Sequence, residues 1–318
     1  MPYAFTSGGS PTTVSATELL VSVFDQVDSE FHDVLYPEIL FREEFDEASV
    51  KKDINPGAQN WVGRTRDIKG TGQFLMGSSR NIPRVGQVVG QVTVPILDAA
   101  VGATIMDTEA ELYAFGYQSS LATDYAEVMK RACDYHVERV LFFGDTPTGF
   151  HPYLSYSNVA VITGSLFANG TPADWAAQLN DALTTVWTTS LTVHLPDTIE
   201  LPPAKFAMLT EAFVIGAGST GVAVSVLEYL KKNNIYTAQT GKELNIRALR
   251  YLTGAGTSGL DRAIIKQSLP NNVVIPFPLP YTLAQPVPIA LGVEIFARYK
   301  FGSFYQRYPL AMSYLDGI

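Results

Sequence analysis

The longest helical pattern of apolar positions lies near the middle of the chain. Ser119 and Ser120 can cap such a helix at its start, and Gly144 can end it. The apolar positions that recur on roughly one face between them are Leu121, Tyr125, Val128, Met129, Ala132, Tyr135, Val140 and Phe143. At about 1.5 Å per residue, this segment predicts a helix about 35 Å long, enough to cross a lobe of the protein.

A second helical pattern lies close to the start of the chain. Residues 2–13 are small and polar and predict an arm, and Ser15 with Glu18 then forms a capping box. The apolar positions that follow at four-three spacing are Leu20, Phe24, Val27, Phe31 and Val34. An amphipathic helix is therefore expected up to about Pro37.

Residues 55–92 show no helical period and contain seven glycines. A connector of this length is unusual inside a compact domain unless it is a hairpin or a functional arm. Val88, Gly90, Val92, Val94 and Ile96 alternate with more polar neighbours, as in a strand. The pattern predicts an extended β-hairpin.

The second half of the chain predicts shorter elements of both kinds. Thr171, Pro172 and Asp174 are typical of a helix start, which we place before a helix over Ala173–Leu191. Two further helices are expected over Pro203–Leu209 and Val222–Asn233. The strand-like segments are Glu111–Tyr117, Val159–Ile162, Thr198–Leu201, Arg247–Leu252 and Ala290–Tyr299.

Composition restricts the class of protein. Charged residues make up 17% of the 318 residues, below the usual quarter, which is consistent with surface reserved for subunit contacts. A net charge of −9 argues against non-specific coating of DNA, because phosphate binding needs clustered Lys and Arg. The only cysteine, Cys133, excludes an internal disulfide. The longest apolar stretch, Ala212–Leu227, is interrupted by glycines, so no membrane partner is expected.

Charge is distributed unevenly along the chain. Residues 55–92 carry five cations against Asp67, a net charge of +4, whereas residues 18–53 carry eleven carboxylates against three cations, a net charge of −8. We therefore expect the hairpin to contact an identical neighbour, with two open alternatives: a nucleic-acid-binding arm and a solvated loop. The expected hairpin residues are Trp61, Arg64, Arg66, Lys69, Phe74, Arg80 and Arg84. The expected acidic partners are Glu18, Asp25, Asp28, Glu43, Glu44 and Glu47.

Candidate enzyme motifs are weak. Gly216–Gly221 satisfies the dinucleotide-binding pattern, but only Phe213–Ile215 could form the strand that must precede it. The four histidines, His32, His136, His151 and His194, lack the spacing of a metal site, and no nucleophile elbow is present. We expect no catalytic residue, no cofactor and no metal, with a nucleotide-dependent enzyme using Gly216–Gly221 as a distant alternative.

Several local stretches carry a family resemblance. The long helix leads into Gly144-Asp145 and Gly149-Phe150-His151-Pro152-Tyr153-Leu154, and Thr171-Pro172 opens a helix that reaches Val186-Trp187. Three more stretches are Leu201-Pro202-Pro203-Ala204-Lys205-Phe206, Ser225-Val226-Leu227-Glu228-Tyr229-Leu230 and Tyr308-Pro309-Leu310-Ala311-Met312. In their order, they resemble a major capsid protein of tailed bacteriophages with the Hong Kong 97-like fold.

The resemblance implies an α+β fold with a peripheral lobe, an axial α/β lobe, an extended hairpin loop and an N-terminal arm. It implies an N-terminal arm and helix over 1–36, an extended loop over 55–92 and an axial lobe over 153–265. The peripheral lobe would comprise 37–54, 93–152 and 266–318, with a spine helix over 119–143.

The resemblance also implies a function. Copies of the chain would form hexamers and pentamers of an icosahedral shell around double-stranded DNA, with weak interior contact to that DNA. Scaffolding, portal and decoration proteins are further expected partners, and the expected location is the virion, after synthesis in the bacterial cytoplasm. An encapsulin-like compartment, which shares the fold, is the alternative.

Overall fold

This computed structural model describes residues 37–70, 84–116, 121–214 and 224–318, which contain both helices and strands. The helices are α1 (Phe41–Glu44), α2 (Asp107–Gly116), α3 (Leu121–Phe143), α4 (Pro172–Thr189), α5 (Pro203–Glu211), α6 (Val226–Lys232) and α7 (Ile235–Thr240). Residues Ile39–Ile318 form one compact unit. The helix expected before Pro37 lies outside the described residues.

The strands of the described chain form four sheets. In chain order they are β1 (Val50–Lys51), β2 (Asn60–Lys69), β3 (Gly86–Met106), β4 (Ala160–Thr163), β5 (Thr198–Leu201), β6 (Phe213–Val214), β7 (Val224–Ser225), β8 (Asn245–Ala248), β9 (Arg262–Lys266), β10 (Val273–Pro276), β11 (Leu279–Leu283), β12 (Val287–Ile289), β13 (Gly292–Gly302), β14 (Tyr305–Gln306) and β15 (Met312–Asp316). The sheet orders are β11-β13-β3-β2 with β12 beside β13, β4-β15-β9-β5-β8, β1-β10-β14 and β6-β7.

Strand β3 organises the first of these sheets. Its 21 residues pair antiparallel with β2 at one end and with β13 at the other. At about 3.3 Å per residue, β3 extends over roughly 65 Å. The β2–β3 pair confirms the expected hairpin, although residues 71–83 lie outside the described chain. Likewise, β13 confirms the strand expected at Ala290–Tyr299, with a shift of a few residues.

Helix α3 confirms the long helix, but its buried face differs from the expected one. Val128, Tyr135 and Phe143 belong to the expected apolar face but are 54–63% exposed. The buried positions are Met129, Cys133, Val137, Glu138, Leu141 and Phe142. The expected set joined apolar residues from both sides of the helix and omitted Cys133 and Val137, which continue the four-residue spacing from Met129 to Leu141. Gly144, with φ of +71°, ends the helix as expected.

Two strand predictions needed correction. Glu111–Tyr117 was expected as a strand, but Asp107–Gly116 is helical, and its first turn carries Asp107 and Glu109 where carboxylates stabilise a helix start. The segment Arg247–Leu252 is divided between the end of β8 and a 3₁₀ turn at Arg250–Leu252. In both cases, apolar alternation over a few residues could not distinguish strand from helix.

Other predictions agree with the structure. Helix α4 begins after Thr171, whose hydroxyl accepts from the Asp174 amide while the Asp174 carboxylate accepts from the Thr171 amide. Strand β5 coincides with Thr198–Leu201, and β4 is shifted one residue from Val159–Ile162. Helix α5 runs two residues past Leu209, and α6 covers Val226–Lys232 of the expected Val222–Asn233, because Val224 and Ser225 form β7.

The β4-β15-β9-β5-β8 sheet lies between two apolar cores. Ile264 and Tyr314 pack into the core with α3, whereas Ile265 and Leu315 pack into the core with α4. Consecutive residues of β9 and β15 therefore serve opposite faces of one sheet. This arrangement makes the sheet the shared wall between the two halves of the molecule.

Candidate intersubunit surfaces and the buried ionic network

The hairpin consists of β2 and the first half of β3. Register pairs Arg64 with Gln91 and Arg66 with Val89, so these four side chains share one face of the ribbon. Val62 and Ile68 lie on the same face and are 46% and 61% exposed. The hairpin therefore presents alternating apolar and cationic side chains to its surroundings.

Four of the basic residues expected in the hairpin lie among the described residues. Arg64, Arg66, Lys69 and Arg84 are all exposed, and Lys69 contacts Asp67 at 3.3 Å. Phe74 and Arg80 lie outside the described residues. The described cations are thus displayed on the surface, as a contact with another molecule would require.

Trp61 also has contacts within its own subunit. It is only partly exposed and packs against the first apolar core, with its ring 5.7 Å from that of Tyr305. Its neighbour across the register, Val94, is almost fully buried. Trp61 therefore anchors the root of the hairpin within its own subunit.

Among the acidic residues expected to receive the hairpin, the structure contradicts one. Glu18, Asp25 and Asp28 lie outside the described residues. Glu43 is exposed, and Glu47 is exposed but pairs with Lys52 at 2.5 Å. Glu44 is the clear correction, since it is buried and its carboxylate is bonded within its own subunit.

Glu44 belongs to an ionic network in the interior that sequence reasoning missed. The network contains one side chain from each of α1, β5, β8, β9 and the segment after α3. These are Glu44, Glu200, Arg247, Lys266 and Tyr153. The Arg247 guanidinium donates to Glu44 at 2.7 Å and to Glu200 at 2.6 Å. Lys266 lies 2.7 Å from Glu200 and also donates to Glu44. The Tyr153 hydroxyl is 3.0 Å from Glu44 and 2.9 Å from Glu200.

The two carboxylates of this network are not equivalent. Burial raises the pKa of Glu44 to about 7, helped by the neighbouring Glu200 and opposed by Lys266 and Arg247. Burial also acts on Glu200, but there Lys266 and Arg247 outweigh it and lower the pKa to about 2. Glu200 therefore holds the negative charge, and Glu44 is the site that takes up a proton.

A buried carboxylate outside this network, Glu138, connects α3 to the start of α1. It accepts from the backbone amides of Leu40 at 2.5 Å and Phe41 at 3.2 Å, and from Arg250 at 2.7 Å. The burial of Glu138 could not be predicted from the sequence, because Glu138 occurs among other charged residues of α3. The contacts fix where the chain enters the compact unit.

The candidate enzyme motifs gain no support from the geometry that is described. Gly216–Gly221 lies outside the described residues, between β6 and β7, which pair antiparallel rather than extending a parallel sheet. Among the described histidines, His136 contacts the Tyr299 hydroxyl at 2.6 Å and His194 contacts Gln267 at 2.9 Å. No group of three or more metal-binding side chains occurs within the described ranges.

A family model for the major capsid protein matches residues 70–318. The chain belongs to the major capsid protein family. This capsid protein has the fold of tailed-phage shells, as shown by its similarity to "The capsid of Myoviridae Phage XM1": the TM-score is 0.76 at 14% identity, with 98% of this chain and 100% of that chain covered. Mycobacterium phage Adephagia gives a TM-score of 0.60 at 14% identity, covering 96% and 98% of the two chains. A cyanophage P-SCSP1u capsid gives 0.56 at 11% identity, covering 94% of each.

The capsid protein matches no curated protein sequence. Its fold class is confirmed as a mixture of helices and sheets of the Hong Kong 97-like type. It is a structural subunit of a capsid shell. No helix in the described part combines the length and apolar character needed to cross a bilayer.

Proposed function

We propose that this capsid protein forms the hexamers and pentamers of a tailed-phage head around packaged double-stranded DNA. Family membership supports a shell-forming role, and the net charge of −9 favours only weak interior contact with DNA. Scaffolding, portal and decoration proteins are the further partners that such a head would need. The assembled location is the virion, after synthesis in the bacterial cytoplasm.

We also propose the lobe division expected from the sequence. Residues 1–36 form the arm, 55–92 the extended loop and 153–265 the axial lobe, with the peripheral lobe built from 37–54, 93–152 and 266–318. The two apolar cores on opposite sides of the β4-β15-β9-β5-β8 sheet support a two-lobed body. Peripheral and axial are positions in a shell, so electron microscopy of particles would test them.

The hairpin is proposed to lie across a neighbouring subunit. The observation that carries this is its exposed apolar surface: Val62, Ile68, Val85, Val88 and Val89 are between 46% and 70% exposed. An isolated two-stranded ribbon is marginally stable in water, and exposed apolar patches mark interaction sites. A neighbouring copy would bury this surface and stabilise the ribbon.

Assembly of a hairpin variant tests this function. Reversing Arg64 and Arg66 together to Glu should leave circular dichroism unchanged but weaken particle formation, most strongly at low salt, because screening is then least. The matched control is Arg139→Glu with Lys242→Glu, two exposed cations outside the hairpin. Unchanged assembly of the hairpin variant would make the hairpin a passive loop, and collapsed circular dichroism would place it in a core.

Purified particles decide between a phage head and an encapsulin-like compartment. Negative-stain microscopy should show closed shells, and the ultraviolet absorbance of the purified particles should show packaged nucleic acid. Shells that hold protein cargo and no nucleic acid would contradict the phage-head proposal.

A further inference from the structure

The turn that follows α4 has an unusual backbone. Leu191 and Thr192 both adopt a positive φ, of 53° and 65°, where glycine is the usual residue at a helix end. A left-handed conformation is costly for any residue with a Cβ, and for a β-branched residue such as threonine it is an outlier. Strain of this kind persists only where the surrounding structure imposes it, and it is concentrated at functional sites.

Hydrogen bonds hold the turn in this conformation. The Thr192 amide donates to the Trp187 carbonyl at 2.9 Å. The Ser190 hydroxyl accepts from the His194 amide at 3.0 Å. These bonds fix the turn within its own subunit, so the positions of its side chains are set before any partner binds.

The side chains that the turn presents to solvent are apolar. Leu191 is 83% exposed, more than any other large apolar side chain of the described residues, and Val193 is 71% exposed. An isolated subunit gains nothing from holding a leucine in water on a strained backbone. Strain and exposure together indicate that this turn contacts another molecule.

Three further exposed apolar side chains lie beside the turn. They are Leu269 at 49%, Tyr308 at 46% and Leu310 at 53% exposure. The Tyr308 ring is 5.4 Å from the ring of His194 in the turn. His194 also contacts Gln267 at 2.9 Å. Backbone hydrogen bonds join Gln267 to Leu269 and to Ala311. We call the five exposed apolar residues the turn patch: Leu191, Val193, Leu269, Tyr308 and Leu310.

The turn patch carries no charge. Residues 187–196, 267–272 and 308–311 contain no Asp, Glu, Lys or Arg. A strongly acidic or basic partner would therefore find no opposite charge in these segments. An identical patch would meet no like-charge repulsion, so the turn patch is compatible with itself across a two-fold axis.

The area of the turn patch is sufficient for such a contact. At the exposed fractions given above, its five side chains present roughly 500 Å² of surface, which is comparable to the largest apolar patch of a typical monomer. Two copies would bury on the order of 1,000 Å² in total. This is about the smallest area found in specific interfaces between proteins.

We propose that the turn patch packs against the turn patch of a second copy across a two-fold axis. This inference rests on the proposed shell function and adds a contact that is separate from the hairpin. An isologous contact joins two copies and then closes. In a shell built from rings, it connects a subunit of one ring to a subunit of the next.

Removal of the apolar side chains tests the contact. Leu191→Asn combined with Val193→Thr reduces the apolar surface and keeps the turn, because asparagine tolerates a positive φ and threonine is β-branched like valine. The protein concentration needed for particle assembly should rise about tenfold or more, the effect expected when one leucine-sized side chain is no longer buried. Circular dichroism of the unassembled subunit should be unchanged.

The matched control is Leu291→Asn, which removes a leucine that is 73% exposed in the turn between β12 and β13. It should assemble at the wild-type concentration. Assembly of the Leu191/Val193 variant at the wild-type concentration, with unchanged circular dichroism, would overturn the proposal. If that variant loses its fold, cross-linking decides.

Cross-linking identifies the partner of the turn patch. Leu191→Cys and Val193→Cys, made separately, each place one new thiol in the patch, whereas the native Cys133 is buried. Mild copper-phenanthroline oxidation of assembled particles should give covalent dimers in at least one variant, with a disulfide between identical positions. Leu291→Cys should remain monomeric. Dimers in neither patch variant, or a disulfide to another residue or another protein, would overturn the two-fold contact.

Failure of this inference is distinct from failure of the proposed function. If wild-type particles form but the patch variants assemble normally and do not cross-link, the turn patch is not a contact, and the shell function stands. If the wild-type protein forms no closed particles, the shell function fails. The oxidation is then carried out on the soluble protein, where dimers bridged within the patch would support the contact and their absence would overturn it.

Discussion

Removing the Lys266 ammonium should expose the energetics of the buried ionic network. At pH 8, the formal charges of the network add up to zero, because Glu44 and Glu200 are negative and Arg247 and Lys266 are positive. Lys266→Met keeps the length of the side chain but leaves two buried carboxylates with Arg247 alone, whose side chain is 31% exposed. Breaking one side of a buried ion pair costs about 3–5 kcal/mol, because the remaining charge is left without compensation.

A second substitution should recover part of that loss. Glu44→Gln removes one negative charge while retaining an oxygen that can accept from Arg247. Combined with Lys266→Met, it returns the network to neutrality. The double variant should therefore be about 1–2 kcal/mol more stable than Lys266→Met alone, a coupling typical of groups in direct contact.

Urea unfolding followed by circular dichroism measures both effects, at a subunit concentration where light scattering shows no assembly. The control is Lys300→Met, also a buried lysine, which bonds to the Pro56 carbonyl at 3.0 Å and lies 3.4 Å from the half-exposed Asp98. Because Asp98 is half-exposed, water can solvate its charge when the Lys300 ammonium is removed. This control should therefore lose less stability than Lys266→Met. The charge balance described for this network would be refuted if Lys266→Met lowered the free energy of unfolding by less than about 1 kcal/mol. It would also be refuted if the double variant were no more stable than Lys266→Met alone.

Two further predictions concern single groups. Between pH 5 and 7.5 the folded protein holds a proton on Glu44 that the unfolded chain has released, because the folded pKa is about 7 and the ordinary value is 4.5. The free energy of unfolding should therefore fall as pH rises through this window. In urea titrations at several pH values, Glu44→Gln should reduce that fall by about 1–3 kcal/mol. If the free energies of unfolding of the two proteins change in parallel with pH, the prediction is contradicted. Thr171→Ala should cost about 1 kcal/mol by removing the cap of α4, and an unchanged urea midpoint would show that the cap contributes nothing.

Local signals were enough to predict several elements of this protein. Thr171, Pro172 and Asp174 specify the start of α4 through bonds among residues three apart. Gly144 ends α3 because its backbone adopts a positive φ that other residues rarely take. The alternation before Val94 predicted the return strand of the hairpin, since side chains of a strand alternate between its faces.

Other features depended on contacts between distant segments. Val128 and Met129 are equally apolar, yet only Met129 is buried, because the packing of α3 against β3 and β13 selects the face. Glu44 and Glu138 resemble surface carboxylates in the sequence. Their burial became evident only with the folded positions of Lys266 and Arg250, more than a hundred residues away.

The sequence by itself determined where most helices and strands occur, including the two strands of the hairpin. It also determined the charge of the hairpin, which is opposite in sign to that of the preceding segment. These features follow from neighbouring residues and from composition. The tertiary structure decided which carboxylates are buried and that Trp61 packs against a core. Burial is a property of packing between segments far apart in the chain, and local periodicity carries no information about which segments meet.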